Sequence, residues 1–505
     1  MIKKFLRLTR RMLRILLSSL AGAFVVILII AVMYLNNQPE LSIWHTTVLD
    51  EEFRAAAGLT SFDQYLKLED RLFEQLETEI YQKVPPEERQ KTNRYFHGSL
   101  SDPGRWPRNW NRTFVLTAEE PRFGVLLIHG MSDSPYSVHA LGEALNSRGG
   151  YVVGLRVPGH GQAPSGLVNV QWEDMAAAVK LAFAYVGEQA GDRPLYIVGY
   201  SNGGALAVNY ALDTLADPRL PKADGLVLLS PEIGLSKVAF LANWQEWIGQ
   251  LLGLENLAWN SVLPEYDPWK YGSFAINAAR QAYQITEAVQ EQITRASEAG
   301  TLGQLPPILA FQSVVDATIA APDLVSNLFA RLPESTRGSG AAAEPGHELV
   351  LFDINRMAFL EPLLKSNPTA WIDPMLADDS LEFMLTLVSN QGPNSAEVVA
   401  SSRMPGSSQV EVCDTGLEWP REVYSLTHVA LPFPANDPIY GGPEADPSPG
   451  IQLGNLALRG ERNVIQVAAA DMLRLRYNPF FPYMKQRVLA FMGLAPQAGI
   501  ACSRR

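Results

Sequence analysis

From residue 114 onward the chain repeats one pattern: a short apolar run closed by glycine or proline, then a stretch with helical spacing. The runs are GVLLIHG at 124–130, YVVGLRVPG at 151–159, PLYIVGY at 194–200, GLVLLSP at 225–231, PPILAFQ at 306–312 and ELVLFDI at 348–354. Runs this short, without polar alternation, read as strands buried on both faces, which a parallel sheet covered by crossover helices provides. The expectation is a doubly wound, mostly parallel α/β sheet. In such sheets ligands sit beyond the carboxyl ends of the strands, so the residues just after each run are the ones to examine.

The chain has 505 residues and is 47% hydrophobic, enough for one enlarged domain or two ordinary ones. Net charge is -12, and six bases (Lys3, Lys4, Arg7, Arg10, Arg11, Arg14) crowd the first fourteen positions, so the remainder is more acidic still. That balance repels a phosphate backbone, and no nucleic-acid partner is expected. Residues 15–35, ILLSSLAGAFVVILIIAVMYL, carry no charge and match the ~20 residues that cross a bilayer. They read as an uncleaved transmembrane anchor, because Ala21-Gly22-Ala23 lies inside the apolar run and not after it, as a cleavage site would. With the bases held inside, residues 1–14 form a cytoplasmic head and everything after 35 lies on the far side, periplasmic in a bacterium. Cys413 and Cys502 are the only cysteines, either two free thiols or one long-range disulfide.

Residues 36–113 read as a stem, with one amphipathic helix in SFDQYLKLEDRLFEQLETEIYQKV that places Phe62, Leu66, Phe73, Leu76 and Ile80 on the face packed against the body and ends at Pro85-Pro86. Residues 114–505 form the α/β domain. Within it, 232–305 reads as a helical cap carrying Trp244, Trp247, Trp259 and Trp269, aromatics of the kind that are more often core than lid lining. ELVLFDI is the last recognisable strand, and 354–420 is an extra insertion.

Gly199-Tyr200-Ser201-Asn202-Gly203 joins the run PLYIVGY to a helical stretch, GGALAVNYALD. Gly-x-Ser-x-Gly alone is a weak pattern, but between a strand and a helix it describes a strained elbow that exposes a serine nucleophile. A serine hydroxyl needs a base to take its proton and an acid to orient that base. Asp316 follows the run at 306–312 and is the candidate acid, with Glu232 and Asp353 as alternatives. His347 and His428 are the candidate bases. His347 precedes ELVLFDI and so stands at the wrong end of that strand, which favours His428. The oxyanion would be held by the N–H groups of Met131 and Asn202. His129 and His160 read as braces of tight glycine loops. No cluster has metal-ligand spacing, so neither metal nor cofactor is expected.

FGVLLIHGMSDSP, LRVPGHGQAPSG, IVGYSNGGALA and SVVDATI together resemble the α/β-hydrolase superfamily, nearest its monoacylglycerol lipase, lysophospholipase and serine aminopeptidase-like branch. The resemblance implies a triad of Ser201, Asp316 and His428, with oxyanion donors at Met131 and Asn202. It implies a membrane-anchored serine hydrolase that cleaves carboxylic esters, lipid-like or monoacyl and with an apolar acyl chain, through an acyl-enzyme. The alternatives are an aminopeptidase-like enzyme, for which Glu255, Glu265 and Asp267 offer an acidic clamp, and a catalytically silent binding protein. The long path from ELVLFDI to His428 departs from the family pattern.

Overall fold

The apolar runs assemble into one 11-stranded sheet. The computed structural model describes residues 39–234, 255–337, 344–358, 367–454, 473–494 and 502–503, with scattered positions before residue 27. In chain order the strands are β1 (Phe114–Leu116), β2 (Phe123–Ile128), β3 (Gly150–Leu155), β4 (Leu195–Tyr200), β5 (Gly225–Leu229), β6 (Ile308–Ser313), β7 (His347–Phe352), β8 (Met384–Asn390), β9 (Glu397–Arg403), β10 (Val410–Glu418) and β11 (Cys502–Ser503). Across the sheet the order is β1-β3-β2-β4-β5-β6-β7-β8-β9-β10-β11. From β3 to β8 every neighbour runs parallel, while β1 and the β9–β11 side are antiparallel.

Every residue of β2 through β7 is buried, as expected for strands covered on both faces. Leu126, Ile128, Val153, Ile197 and Leu228 face one core, with helices α1 (Phe62–Glu79), α3 (Trp172–Ala190), α4 (Asn202–Ala216) and α5 (Ile276–Glu298). Val125, Leu127, Val152, Val198 and Val227 face the other, with α2 (Tyr136–Asn146) and α6 (Phe481–Phe491). Alternate residues along each strand thus feed opposite layers, which is the period-2 geometry of a pleated sheet.

Several expectations need correction. ELVLFDI is not the last strand, and 354–420 is not an insertion apart from the sheet: it contributes β8, β9 and β10, which widen it. Exposed polar positions, as in Val410–Glu418, hid β9 and β10, because the antiparallel side of a sheet needs only one apolar face. Cys413 in β10 is disulfide-bonded, and the register sets Cys502 of β11 opposite it.

The stem does not stand apart. Phe53, Phe62 and Tyr65 belong to the same core as the central strands. The face of α1 that docks runs through Tyr65, Glu69, Leu72 and Leu76, while Leu66 and Phe73 are only half-buried, and α1 stops at Glu79, before Pro85. A polar residue, Glu69, sits in that face because it pairs with a buried arginine: Arg156 Nε donates to Glu69 Oε2 at 3.0 Å, and Arg156 Nη1 and Nη2 donate to Glu52, each at 3.0 Å. Thr113 N and Oγ1 also donate to Glu69, so the pair is closed by hydrogen bonds on several sides.

The second half of the cap range is not a lid. Helix α5 lays Ala278, Ala282, Ile285, Val289 and Ile293 into the core beside α4, as any crossover helix would. Residues 259–275 form a hairpin over the site. Trp259 packs into the main core, and Trp269 stacks on Tyr136, ring centres 5.3 Å apart. Trp244 and Trp247 lie outside the described residues. Most of the 15–35 stretch does too, and among the described residues no helix is long and apolar enough to cross a membrane.

Candidate active site

Ser201 stands between β4 and α4 with φ 54° and ψ -120°, a backbone conformation that residues other than glycine rarely adopt. Its neighbours make the turn possible by being small. A Cβ on Gly203 would lie 2.2 Å from the Ile128 carbonyl oxygen, and one on Gly199 would lie 2.3 Å from the Gly203 carbonyl oxygen. The elbow therefore presses α4 against the end of β2, and the serine hydroxyl points out at the carboxyl edge of the sheet. The other described non-glycine residues with positive φ, Ser132 and Ser230, follow β2 and β5 at the same edge.

Asp316 follows β6, and His428 opens a single 3-10 turn in the loop after β10. His428 Nε2 lies 2.9 Å from Ser201 Oγ, and His428 Nδ1 lies 2.8 Å from Asp316 Oδ2. A carboxylate only accepts, so Nδ1 carries the proton and Nε2 accepts from the serine hydroxyl. All three residues are buried, at 6–7% exposure, so the relay runs in a largely water-free site. Burial pushes the Asp316 carboxyl up. His428 and the N–H groups of Ile319 and Thr318 outweigh it and hold the carboxyl below its usual value. Gln312 Nε2 also donates to Asp316 Oδ2 at 3.0 Å.

The loop after β2 carries Met131 and is pinned from above by the hairpin. Tyr271 N donates to the Ser132 carbonyl at 2.9 Å, and Lys270 Nζ sits 3.1 Å from Asp133 Oδ1. A Cβ on Gly130 would stand 3.0 Å from Ser201 Cβ, so this loop runs directly against the elbow. Asn202 heads α4 on the other side of the serine. His129 lies 2.8 Å (Nδ1) from the Gly130 carbonyl and accepts from Val157 N through Nε2, which ties the loops after β2 and β3 together. Burial holds it well below the usual histidine range. His160 Nδ1 lies 2.9 Å from the Pro158 carbonyl, and burial lowers it to about 4.

The alternatives lie elsewhere. His347 starts β7 in register with Ile308, the start of β6, at the amino edge of the sheet. Asp353 is engaged by Arg356 at 2.7 Å. Glu232 follows β5 close to the elbow, where its N–H donates to the Ser201 carbonyl at 2.9 Å, but the acid bonded to His428 is Asp316. Sequence reasoning missed the supporting partners Gln312, Lys270 and Tyr271. Gln312 ends the run before Asp316 and reaches it over four residues, whereas nothing near Lys270 and Tyr271 in the sequence marks them, since their role depends on a hairpin folding back over the sheet.

A parallel sheet with a strand–elbow–helix serine, and with the acid and histidine delivered by later loops at the same edge, defines an α/β hydrolase by architecture. Residues 119–351 match the family model described as serine aminopeptidase, S33. A thermostable monoacylglycerol lipase from a Bacillus species is 32% identical over 104 residues, 19% of this chain and 40% of that one. The chain thus matches less than half the length of that relative. Among solved structures it is similar to a monoacylglycerol lipase from Paleococcus ferrophilus, at TM-score 0.35 and 18% identity over 48% of this chain and 88% of that one. It is also similar to a soluble variant of monoglyceride lipase from Saccharomyces cerevisiae, at 0.34 and 16% over 48% and 82%. The matched segment belongs to the α/β-hydrolase superfamily, in its monoacylglycerol lipase, lysophospholipase and serine aminopeptidase-like branch. His428 lies beyond residue 351, so its place in the site rests on geometry alone.

Proposed function

We propose that this protein is a serine hydrolase of carboxylic esters, with Ser201 as nucleophile, His428 as general base and acid, and Asp316 as the group that orients the histidine. The observation that carries the reading is the unbroken relay from Ser201 Oγ through both nitrogens of His428 to Asp316. In the first step the serine oxygen attacks the ester carbonyl while its proton passes to Nε2. The oxyanion is held by the N–H groups of Met131 and Asn202, and the tetrahedral intermediate collapses as His428 returns the proton to the leaving alcohol. Water, deprotonated by the same nitrogen, then releases the acyl group from Ser201.

Lipid-like or monoacyl esters are the proposed substrates, in keeping with the monoacylglycerol lipase among the similar sequences. Residues 15–35 are proposed as a membrane anchor that leaves the catalytic domain on the side opposite the basic head. The peptidase alternative is weaker because its clamp is already occupied. Glu265 accepts from Gly272 N and Ser273 N, and Asp267 accepts from the Tyr440 hydroxyl at 2.6 Å. The Glu255 side chain lies outside the described residues. The test is Ser201→Ala assayed on a short-chain aryl ester: kcat should fall by on the order of 10⁴ or more with the fold intact by circular dichroism. Turnover within about tenfold of the parent would overturn the mechanism.

A further inference from the structure

We propose, building on the ester reading, that the cavity beside the triad is a subsite for an anionic group on the alcohol side of the substrate, gripped by Arg474 and Arg476. The cavity encloses about 160 Å³, room for a small polar head group and not for a long chain, and its wall includes Tyr200 and Val429, the immediate neighbours of Ser201 and His428. Both arginines line it, and among the described residues neither has an ion pair or a side-chain hydrogen bond.

The other charges on that wall are already matched. Lys270 pairs with Asp133, and Asp267 accepts from the Tyr440 hydroxyl, Trp269 N and Lys270 N. What remains for a ligand is two guanidiniums, whose planar forks fit carboxylate or phosphate oxygens two at a time. They are held in place by the histidine loop itself. Thr427 Oγ1 donates to the Leu475 carbonyl, between the two arginines, at 2.5 Å, and Asn478 N and Nδ2 donate to the carbonyls of Phe433 and Leu431. Arg474 is also close enough to Tyr200 to oppose the rise that burial imposes on its hydroxyl. In a chain of net charge -12 an anionic substrate is repelled at long range, so an unmatched cationic pair at the site is the feature that would admit one.

The side of the ester follows from the chemistry. His428 must hand its proton to the leaving alcohol, so the alcohol departs past the histidine, and the presence of Val429, the residue next to it, in the cavity wall is the ground for assigning the cavity to that side. A phosphate or carboxylate borne by the alcohol, as in a 1-acylglycerol 3-phosphate, is the ligand chemistry that fits.

The test uses sn-glycerol 3-phosphate, with glycerol as control, titrated calorimetrically into the full chain carrying Ser201→Ala. Alongside it, kcat/KM is measured for 1-acylglycerol 3-phosphate and for the uncharged 1-acylglycerol of the same chain length. Glycerol 3-phosphate should bind at least about tenfold more tightly than glycerol, and Arg474→Gln combined with Arg476→Gln should weaken it by about tenfold or more. The same pair should lower the charged-to-neutral ratio of kcat/KM by a similar factor, chiefly through KM. Should the double variant not fold, the salt dependence of the wild-type ratio gives the same readout: it should fall steeply from low to high ionic strength. Glycerol 3-phosphate binding no better than glycerol, or a ratio unmoved by both the variants and salt, overturns the subsite. An equal loss on a half-ester with its carboxylate on the acyl side overturns the alcohol-side assignment. Anion binding without hydrolysis of any ester would sink the ester reading alone, and neutral-ester turnover without anion binding would sink the subsite alone.

Discussion

Glu232 shows how one buried atom can set a pH dependence. Its Oε2 is buried with no hydrogen-bond partner among the described residues, and burial raises its carboxyl from the ordinary 4.5 to about 7. Between those values the folded chain holds a proton that the unfolded chain has already lost. The stability it allows is therefore full below about 4.5 and is lost as pH rises through about 7. Glu232→Gln should remove this loss: at pH 8 the variant should be more stable than the parent by on the order of 3 kcal/mol in urea unfolding, and near pH 4 the two should agree. Parallel curves across that range would show that Glu232 is solvated or paired. At this same scale the sequence is uneven in what it reveals. Ser201 and Asp316 are visible because one directly follows an apolar run and the other comes within four residues of one. His428 is reached only by excluding His347, Glu232 is visible only as an alternative acid, and Lys270 is invisible because its partner Asp133 lies far off in the chain.

Among the elements, α1 is the one whose role the pattern misstates. An apolar stripe through Leu66 and Phe73 looks like its docking face, yet the buried line passes through Glu69, a position that helical spacing puts on that face but whose charge argues for solvent. The reason is Arg156, 1% exposed, whose charge must be matched by Glu69 and Glu52 when α1 packs. Glu69→Gln leaves that guanidinium undercompensated and should cost roughly 3 kcal/mol or more, as breaking buried pairs does. Lys83→Ala, which breaks the exposed pair with Glu79, should cost about 0.5 kcal/mol or less. Urea midpoints of the two variants check this contrast, and equal shifts would mean that α1 docks by its apolar residues alone. Strands β9 and β10 escaped the pattern for a related reason. Ser401, Ser402, Asp414 and Glu418 break up apolar runs that an edge of the sheet does not require.

At the scale of the whole molecule, the parallel centre of the sheet was legible and its borders were not, because only the centre is buried on both faces. The amino-terminal region divides between residues 39 and 113. Trp44, Phe53 and Tyr65 are buried in the body, so this part belongs to the domain. A chain beginning at Asn36 should stay in solution and retain turnover of a soluble ester, whereas one beginning at Phe114 should fail to fold, having stripped Arg156 of both carboxylates. Gel filtration and ester assays of the two truncations decide it. Loss of activity in the longer one would make residues 1–35 part of the catalytic fold and not a tether.

The central claim, a serine made nucleophilic by His428 and Asp316, is tested most directly by the site and rate of reaction with a fluorophosphonate, mapped by peptide mass. The full chain should carry the adduct on Ser201 and nowhere else, His428→Ala should slow its formation by about a thousandfold or more, and His347→Ala should change it little. An adduct on another residue, no adduct at all, or labelling that depends on His347 and not on His428 would contradict the account.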